Sequence, residues 1–345
     1  MNRITRISCA LVVLMCVVWP VAAQSKPAVQ AQEVKFDGHD VKLAGTLLIP
    51  KLDGGKRAPG VLIVPDSGVT SRDGIRIGEA VHTVYRDLAE HLAGKGLAVL
   101  RYDKRCAGIS ECKPAAAFDD YVDDARKAAE FLKAQAGVDP AKVFLFGHGE
   151  GGFISSSLAA AEDVKFAGVV LAASPGRHLH KIIRKMVERR LTEEAKKPEE
   201  KDATLAKLDR VIRMIQSGQQ DFSSISLNDK DYYDALLADL IKQRNVVVSL
   251  FIDDPLQIVN NIAAPTLIVQ GKKDLQVTVQ DAEFLEEAMK RASHNDSTLL
   301  LLDDADHLLK TNKGAASTAS LSDASRPLDA ALLTAVTDWI LKKAK

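Results

Sequence analysis

The chain has 345 residues, 46 acidic and 46 basic side chains, and 46% hydrophobic residues. Balanced charge excludes a global field that would draw it to nucleic acid or an anionic membrane, and leaves a small molecule as the expected partner. The apolar content excludes a disordered or collagen-like chain, and the length fits one large domain carrying an insertion.

Arg3 and Arg6 begin the chain and are followed by an apolar run over 7–19 that is short for a membrane span. Pro20 breaks the run, and Val21-Ala22-Ala23 supplies the small residues a signal peptidase reads. Residues 1–23 therefore read as a signal peptide. The mature chain is expected to start at Gln24, to be periplasmic or secreted, and to keep no stable membrane span; a retained anchor is the alternative reading. Leu14-Met15 before Cys16 are too bulky for a lipid-attachment site. Cleavage leaves Cys106 and Cys112 as the cysteines of the mature chain, either joined in an oxidising compartment or isolated as thiols.

After a polar stretch over 24–32, apolar runs at 34–36, 41–49, 61–64, 98–102, 143–146, 169–173, 266–269 and 298–302 give eight candidate strands. Several are continuously apolar, which indicates strands covered on both faces of a largely parallel sheet. Between them, 119–133 places Val122, Ala125, Ala129 and Leu132 on one face and opens with acidic residues, as suits a helix N-terminus. Strand and helix alternate, so the class is α/β. Residues 177–261 break the rhythm with charge and helix formers, including 181–191 and 205–215. They read as an inserted helical cap over the strand ends where ligands of such sheets bind, with a solvated extension as the alternative. A surface loop over 313–327 and a final helix over 328–343 complete the chain.

The segment Val143-Phe144-Leu145-Phe146-Gly147-His148-Gly149-Glu150-Gly151-Gly152, before a helix predicted over 153–161, reads as strand, sharp turn, helix. In a G-x-S-x-G nucleophile elbow the outer glycines let the backbone pass tightly, so that the central side chain projects above the sheet. Gly147 and Gly151 hold the outer positions, His148 the second, and Gly149 stands where the serine belongs. An acid and then a histidine follow such an elbow in the chain. Asp274 comes just after the strand at 266–269 and His307 just after that at 298–302. Asp274 is read as the acid that orients His307, and His307 as the general base.

At these residues the chain resembles the bacterial α/β-hydrolases related to serine aminopeptidases and carboxylesterases, whose elbow commonly reads G-H-S-x-G. Val64-Pro65-Asp66-Ser67-Gly68 leading to Arg72-Asp73-Gly74 is similar to their glycine-rich R-D-G loop. The run from Arg101 to Ser110 is similar to their R-Y-D-K-R-G-x-G-x-S. The resemblance implies an α/β-hydrolase fold with a mostly parallel eight-stranded sheet. It also implies an oxyanion hole of backbone N–H groups from Ser67 and Glu150. Asp66 and Cys106 each replace a glycine of the pattern. Asp66 either brings a carboxylate toward a site meant to stabilise negative charge or points outward as a turn residue.

Other nucleophiles fit poorly. Pro175 removes the N–H that would follow Ser174 in an oxyanion hole, and Ser67 and Ser110 lack elbow geometry. His178 and His180 are too few for a metal site, and Asp303, Asp304 and Asp306 lack the spacing of a calcium loop. No metal or cofactor is expected. The reading is an exported carboxylesterase-type hydrolase of carboxylic esters or related acyl substrates, weakened or silenced at Gly149, in which His307 activates water. The alternative is a non-catalytic relative that binds a small acyl or peptide-like ligand.

Overall fold

The computed structural model describes residues 27–345 apart from positions 69, 114, 162, 229 and 293–295. The predicted signal segment lies outside the described residues. The strands are β1 (Val29–Asp37), β2 (Lys42–Pro50), β3 (Ala58–Val64), β4 (Ile75–Ile77), β5 (Ala80–His82), β6 (Ala98–Tyr102), β7 (Val138–His148), β8 (Gly168–Ala172), β9 (Thr266–Gly271) and β10 (Ser297–Leu302). The helices are α1 (Val84–Ala93), α2 (Phe118–Lys133), α3 (Glu150–Ala160), α4 (Leu179–Glu193), α5 (Pro198–Gln216), α6 (Tyr232–Lys242), α7 (Arg244–Ile252), α8 (Pro255–Val259), α9 (Val279–Arg291) and α10 (Ala330–Lys343).

Eight strands form one sheet in the order β1-β2-β6-β3-β7-β8-β9-β10, with β4 and β5 as a separate hairpin. Only β2 runs against its neighbours; β6, β3, β7, β8, β9 and β10 pair in parallel. The continuous apolar runs follow from this architecture. Within β3, Leu62 and Val64 enter the apolar layer under α2, α3, α8 and α9, while Val61 and Ile63 enter the layer under α1 and α10. The inner parallel strands are thus covered on both faces, whereas β10 at the edge is mostly half-buried.

The apolar signal fails at the edge. β1 begins at Val29, inside the stretch read as polar, because its pairing with β2 continues to Val29↔Pro50 while most of its side chains face solvent. The β4–β5 hairpin is too short and too polar to show a period. Helices α4–α8 fall between β8 and β9, and α4–α7 share an apolar cluster of their own around Val187, Val211, Leu237 and Phe251.

Candidate active site

The parallel strands carry their C-terminal ends to one edge of the sheet, where open α/β sheets bind ligands. Asp66 follows β3, Gly149 follows β7, Asp274 follows β9 and His307 follows β10. Gly149 has φ 54° and ψ −121°, a left-handed conformation that glycine adopts without strain, and it caps α3. Gly151 lies so close to the backbone of Val64 and Pro65 that a side chain there would overlap their carbonyl groups. The elbow's backbone is therefore formed.

The space above it is filled by Asp66. A Cβ placed on Gly149 would overlap Oδ1 and Cγ of Asp66 and lie 3.0 Å from Oδ2. The carboxylate thus stands where the elbow's side chain would project, and it is held by the groups that would serve a nucleophile there. Oδ1 accepts the backbone N–H of Glu150 at 2.9 Å, at the N-terminus of α3 where the helix dipole favours negative charge. Oδ2 lies 3.1 Å from His307 Nε2. Of the two readings of Asp66, the outward-pointing turn residue is excluded: the side chain turns inward and is buried.

His307 is held from both sides. Its Nδ1 lies 2.8 Å from Asp274 Oδ2. Asp274 is itself fixed by the N–H groups of Gln276 (2.8 Å) and Val277 (3.0 Å) and by Gln270 Nε2 (3.2 Å). Burial acts to lower the His307 pKa, but the charge and hydrogen bonds of Asp274 and Asp66 outweigh it and push it well above the ordinary imidazole value. Burial acts to raise the Asp66 carboxyl, and the hydrogen bond and charge of His307 outweigh it and hold Asp66 well below the usual carboxylate range. The resting site is therefore a carboxylate–imidazolium–carboxylate row. With His307 charged, both ring nitrogens donate to carboxylates, and the nitrogen expected to take a proton as general base faces Asp66.

Tyr85 and Lys104 hold Asp66 in place; Lys104 lies in the run Arg101 to Ser110 that carries the resemblance, without a role read for it, and Tyr85 was not singled out from the sequence. Tyr85 Oη accepts the Asp66 N–H at 2.8 Å and lies 2.9 Å from His148 Nδ1. His148 Nε2 donates to the His307 carbonyl at 2.7 Å, so Nδ1 is left to accept the Tyr85 hydroxyl proton. Burial lowers the His148 pKa and raises that of Tyr85, which keeps the imidazole neutral and the phenol protonated. One chain of hydrogen bonds thus joins the β3 loop, α1, the elbow and the histidine loop. Lys104 Nζ contacts Glu150 Oε1 at 2.6 Å and the Asp66 carbonyl at 3.2 Å. Asp66, His148 and His307 cluster closely enough to suggest metal ligands, but both nitrogens of His148 are committed to these bonds.

Of the expected oxyanion donors, Glu150 spends its N–H on Asp66, and Ser67 lines the cleft beside it. Ser174 packs beneath Gly152, and Ser110 Oγ binds the backbone of Ala44 and Asp103. Cys106 and Cys112 are joined, S–S 1.98 Å, closing the loop after β6. Cys106 has φ 66°, the left-handed region that explains a glycine in the family's pattern at this point.

The cleft above the site encloses about 240 Å³. Asp66, Gly149 and His307 line its sheet side, and Ile182, Met186, Leu240 and Leu250 line it from the inserted helices. A second cavity of about 600 Å³ shares Ile183, Met186, Gln276 and His307 with it.

A mostly parallel sheet of eight strands, helices on both faces, an elbow after β7 and an acid and histidine after β9 and β10 define an α/β hydrolase. Within that class the chain belongs to the serine aminopeptidase S33 family, which it matches over residues 78–313. The matched span holds Gly149, Asp274 and His307; Asp66 precedes it. The chain is 26% identical over 303 residues to esterase EstD of Thermotoga maritima, covering 87% of this chain and 66% of that protein. Its fold is similar to that of the α/β hydrolase GrgF from Penicillium sp. sh18 (TM-score 0.56, 17% identity, 91% of this chain and 99% of the other). It is also similar to a Pyrococcus furiosus esterase (TM-score 0.53, 20% identity, 81% and 84%). Among the described residues no helix is long and apolar enough to cross a membrane.

Proposed function

We propose that this protein is an exported hydrolase of the esterase type that cleaves small, largely apolar substrates between the sheet and helices α4–α7, without forming a serine acyl-enzyme. One observation carries the reading: the Asp66 carboxylate occupies the nucleophile space of an intact elbow and is bound there by Glu150 N–H and His307 Nε2. Esterase EstD supports the reaction class, and the apolar lining of the cleft supports the substrate character. In this reading Asp66, His307 and Asp274 form the working unit.

The test is turnover of p-nitrophenyl butyrate by the mature protein, beside Asp66→Asn, with a serine-directed fluorophosphonate as probe. Turnover that disappears in Asp66→Asn, with no fluorophosphonate label on the native chain, is expected. Rapid turnover with a labelled serine would place the nucleophile elsewhere.

A second reading, a non-catalytic relative that binds a small acyl or peptide-like ligand, is favoured by one observation. The Glu150 N–H that would stabilise an oxyanion is already occupied by Asp66. Saturable binding of butyrate without turnover of any ester would establish it.

A further inference from the structure

We propose that Asp66 is itself the nucleophile and that its substrates are primary alkyl carbons whose leaving group departs as a stable anion, such as a halide or sulfonate. The proposal rests on the reading of this cleft as a hydrolytic centre and names its substrate class.

The argument starts from what a carboxylate in that place can attack. At an acyl carbon it would form a mixed anhydride, more reactive than the ester it came from. At a saturated carbon it forms an ordinary ester. The carboxylate's two oxygens have separate partners: Oδ1 on the Glu150 N–H and Oδ2 facing His307.

In the first step Oδ2 bonds to the alkyl carbon and the carbon–leaving-group bond breaks, its electron pair departing with the anion. Arg177, whose Nε and Nη2 are held by Asp281, lines the same cleft with Gln243 and Gln276, and that anion is assigned in this proposal to these polar groups. Asp66 is now a neutral ester, so His307 loses one of the two carboxylates that kept it charged, and it releases the Nε2 proton to solvent. It has become a base oriented by Asp274.

In the second step water gives a proton to Nε2 as its oxygen attacks Cγ of Asp66. The missing side chain at Gly149 leaves that carbon approachable, since a Cβ there would overlap it. Charge develops on Oδ1, which already faces the Glu150 N–H at the start of α3. Collapse breaks the Cγ–Oδ2 bond, and the departing alcohol takes the proton from His307. The acid left on Asp66 returns its proton to Nε2 and restores the ion pair. The sum is alkyl halide plus water to alcohol, halide and one proton. The oxygen of the first alcohol comes from Asp66.

The experiment uses mature protein with n-hexyl bromide, read by bromide release and intact mass, beside His307→Gln and Asp66→Asn. Native protein is expected to release bromide, His307→Gln to accumulate a hexyl adduct mapped to Asp66, and Asp66→Asn to do neither. Native protein in single turnover in heavy-oxygen water gives a readout that needs no variant. The first hexanol should carry light oxygen, and Asp66 should gain the heavy one. Heavy oxygen in that first hexanol would mean direct attack by water and would overturn the proposal. Hydrolysis of p-nitrophenyl butyrate with no bromide release and no adduct would overturn it while leaving the hydrolase reading standing. Failure with both substrates would remove both.

Discussion

Asp66 and His307 set each other's protonation, and this gives the site a defined pH behaviour. His307 has its pKa raised, so its contribution to stability is complete below the ordinary imidazole value of about 6.5 and is lost as pH rises through its higher folded value. Asp66 has its pKa lowered, so its contribution is present above the ordinary carboxylate range and is lost as pH falls through its folded value. Between these limits Asp66→Asn should lower the melting temperature, and the difference from native protein should shrink at alkaline pH. Imidazole NMR of the same variant should show the His307 pKa displaced downward; an unmoved titration would remove the ion pair from the account. Gly149→Ser alone should stay unlabelled by fluorophosphonate, because its Cβ collides with Asp66, whereas Gly149→Ser with Asp66→Gly should be labelled. The sequence reading anticipated the serine's absence and named Asp66 as a departure. It did not reach the substitution of one for the other, because the direction of the carboxylate is decided by Glu150 and His307, 84 and 241 residues away.

Among the elements, α1 has the least obvious bearing on the site and a large one. Tyr85 in its first turn is buried and ties the Asp66 N–H to His148, which in turn holds the His307 carbonyl. Tyr85→Phe leaves a buried N–H and an imidazole nitrogen without partners, and should cost about 1–3 kcal/mol in urea unfolding. It should also slow any Asp66-dependent turnover more than it weakens substrate binding. Equal stability of native and variant protein would show the chain of hydrogen bonds to be idle. The parallel strands were legible because burial on both faces writes a continuous apolar run such as 61–64 into the sequence. Helix α2 was legible from its apolar face and acidic start. Tyr85 was not legible, since nothing local distinguishes it from a core aromatic. The start of β1 was hidden because an edge strand held by backbone pairing needs no apolar pattern.

At the scale of the molecule, the sheet supplies the reactive row and the helices between β8 and β9 supply the apolar wall opposite. A bulky charge in that wall, Leu240→Arg, should raise KM for hexyl and butyryl substrates by an order of magnitude or more while leaving His307 titration unchanged. A variant with unchanged KM would detach the inserted helices from substrate binding. The proposed export would place the Cys106–Cys112 bond in an oxidising compartment that sustains it. N-terminal sequencing of protein from the native host should begin near Gln24, and alkylation without reductant should leave both cysteines unmodified. A chain recovered with Met1 intact would contradict export.

The overlap between a side chain at 149 and the carboxylate at 66 also bears on how such a site can change over time. Restoring serine first drives it into Asp66, and shortening Asp66 first strands His307 beside an unfilled space with one carboxylate partner. Each single change passes through a protein with neither nucleophile in working order, so the two arrangements are separated by a valley that only a paired replacement crosses. With the carboxylate in this place, position 149 is held at glycine both by the overlap a Cβ would meet and by its φ of 54°.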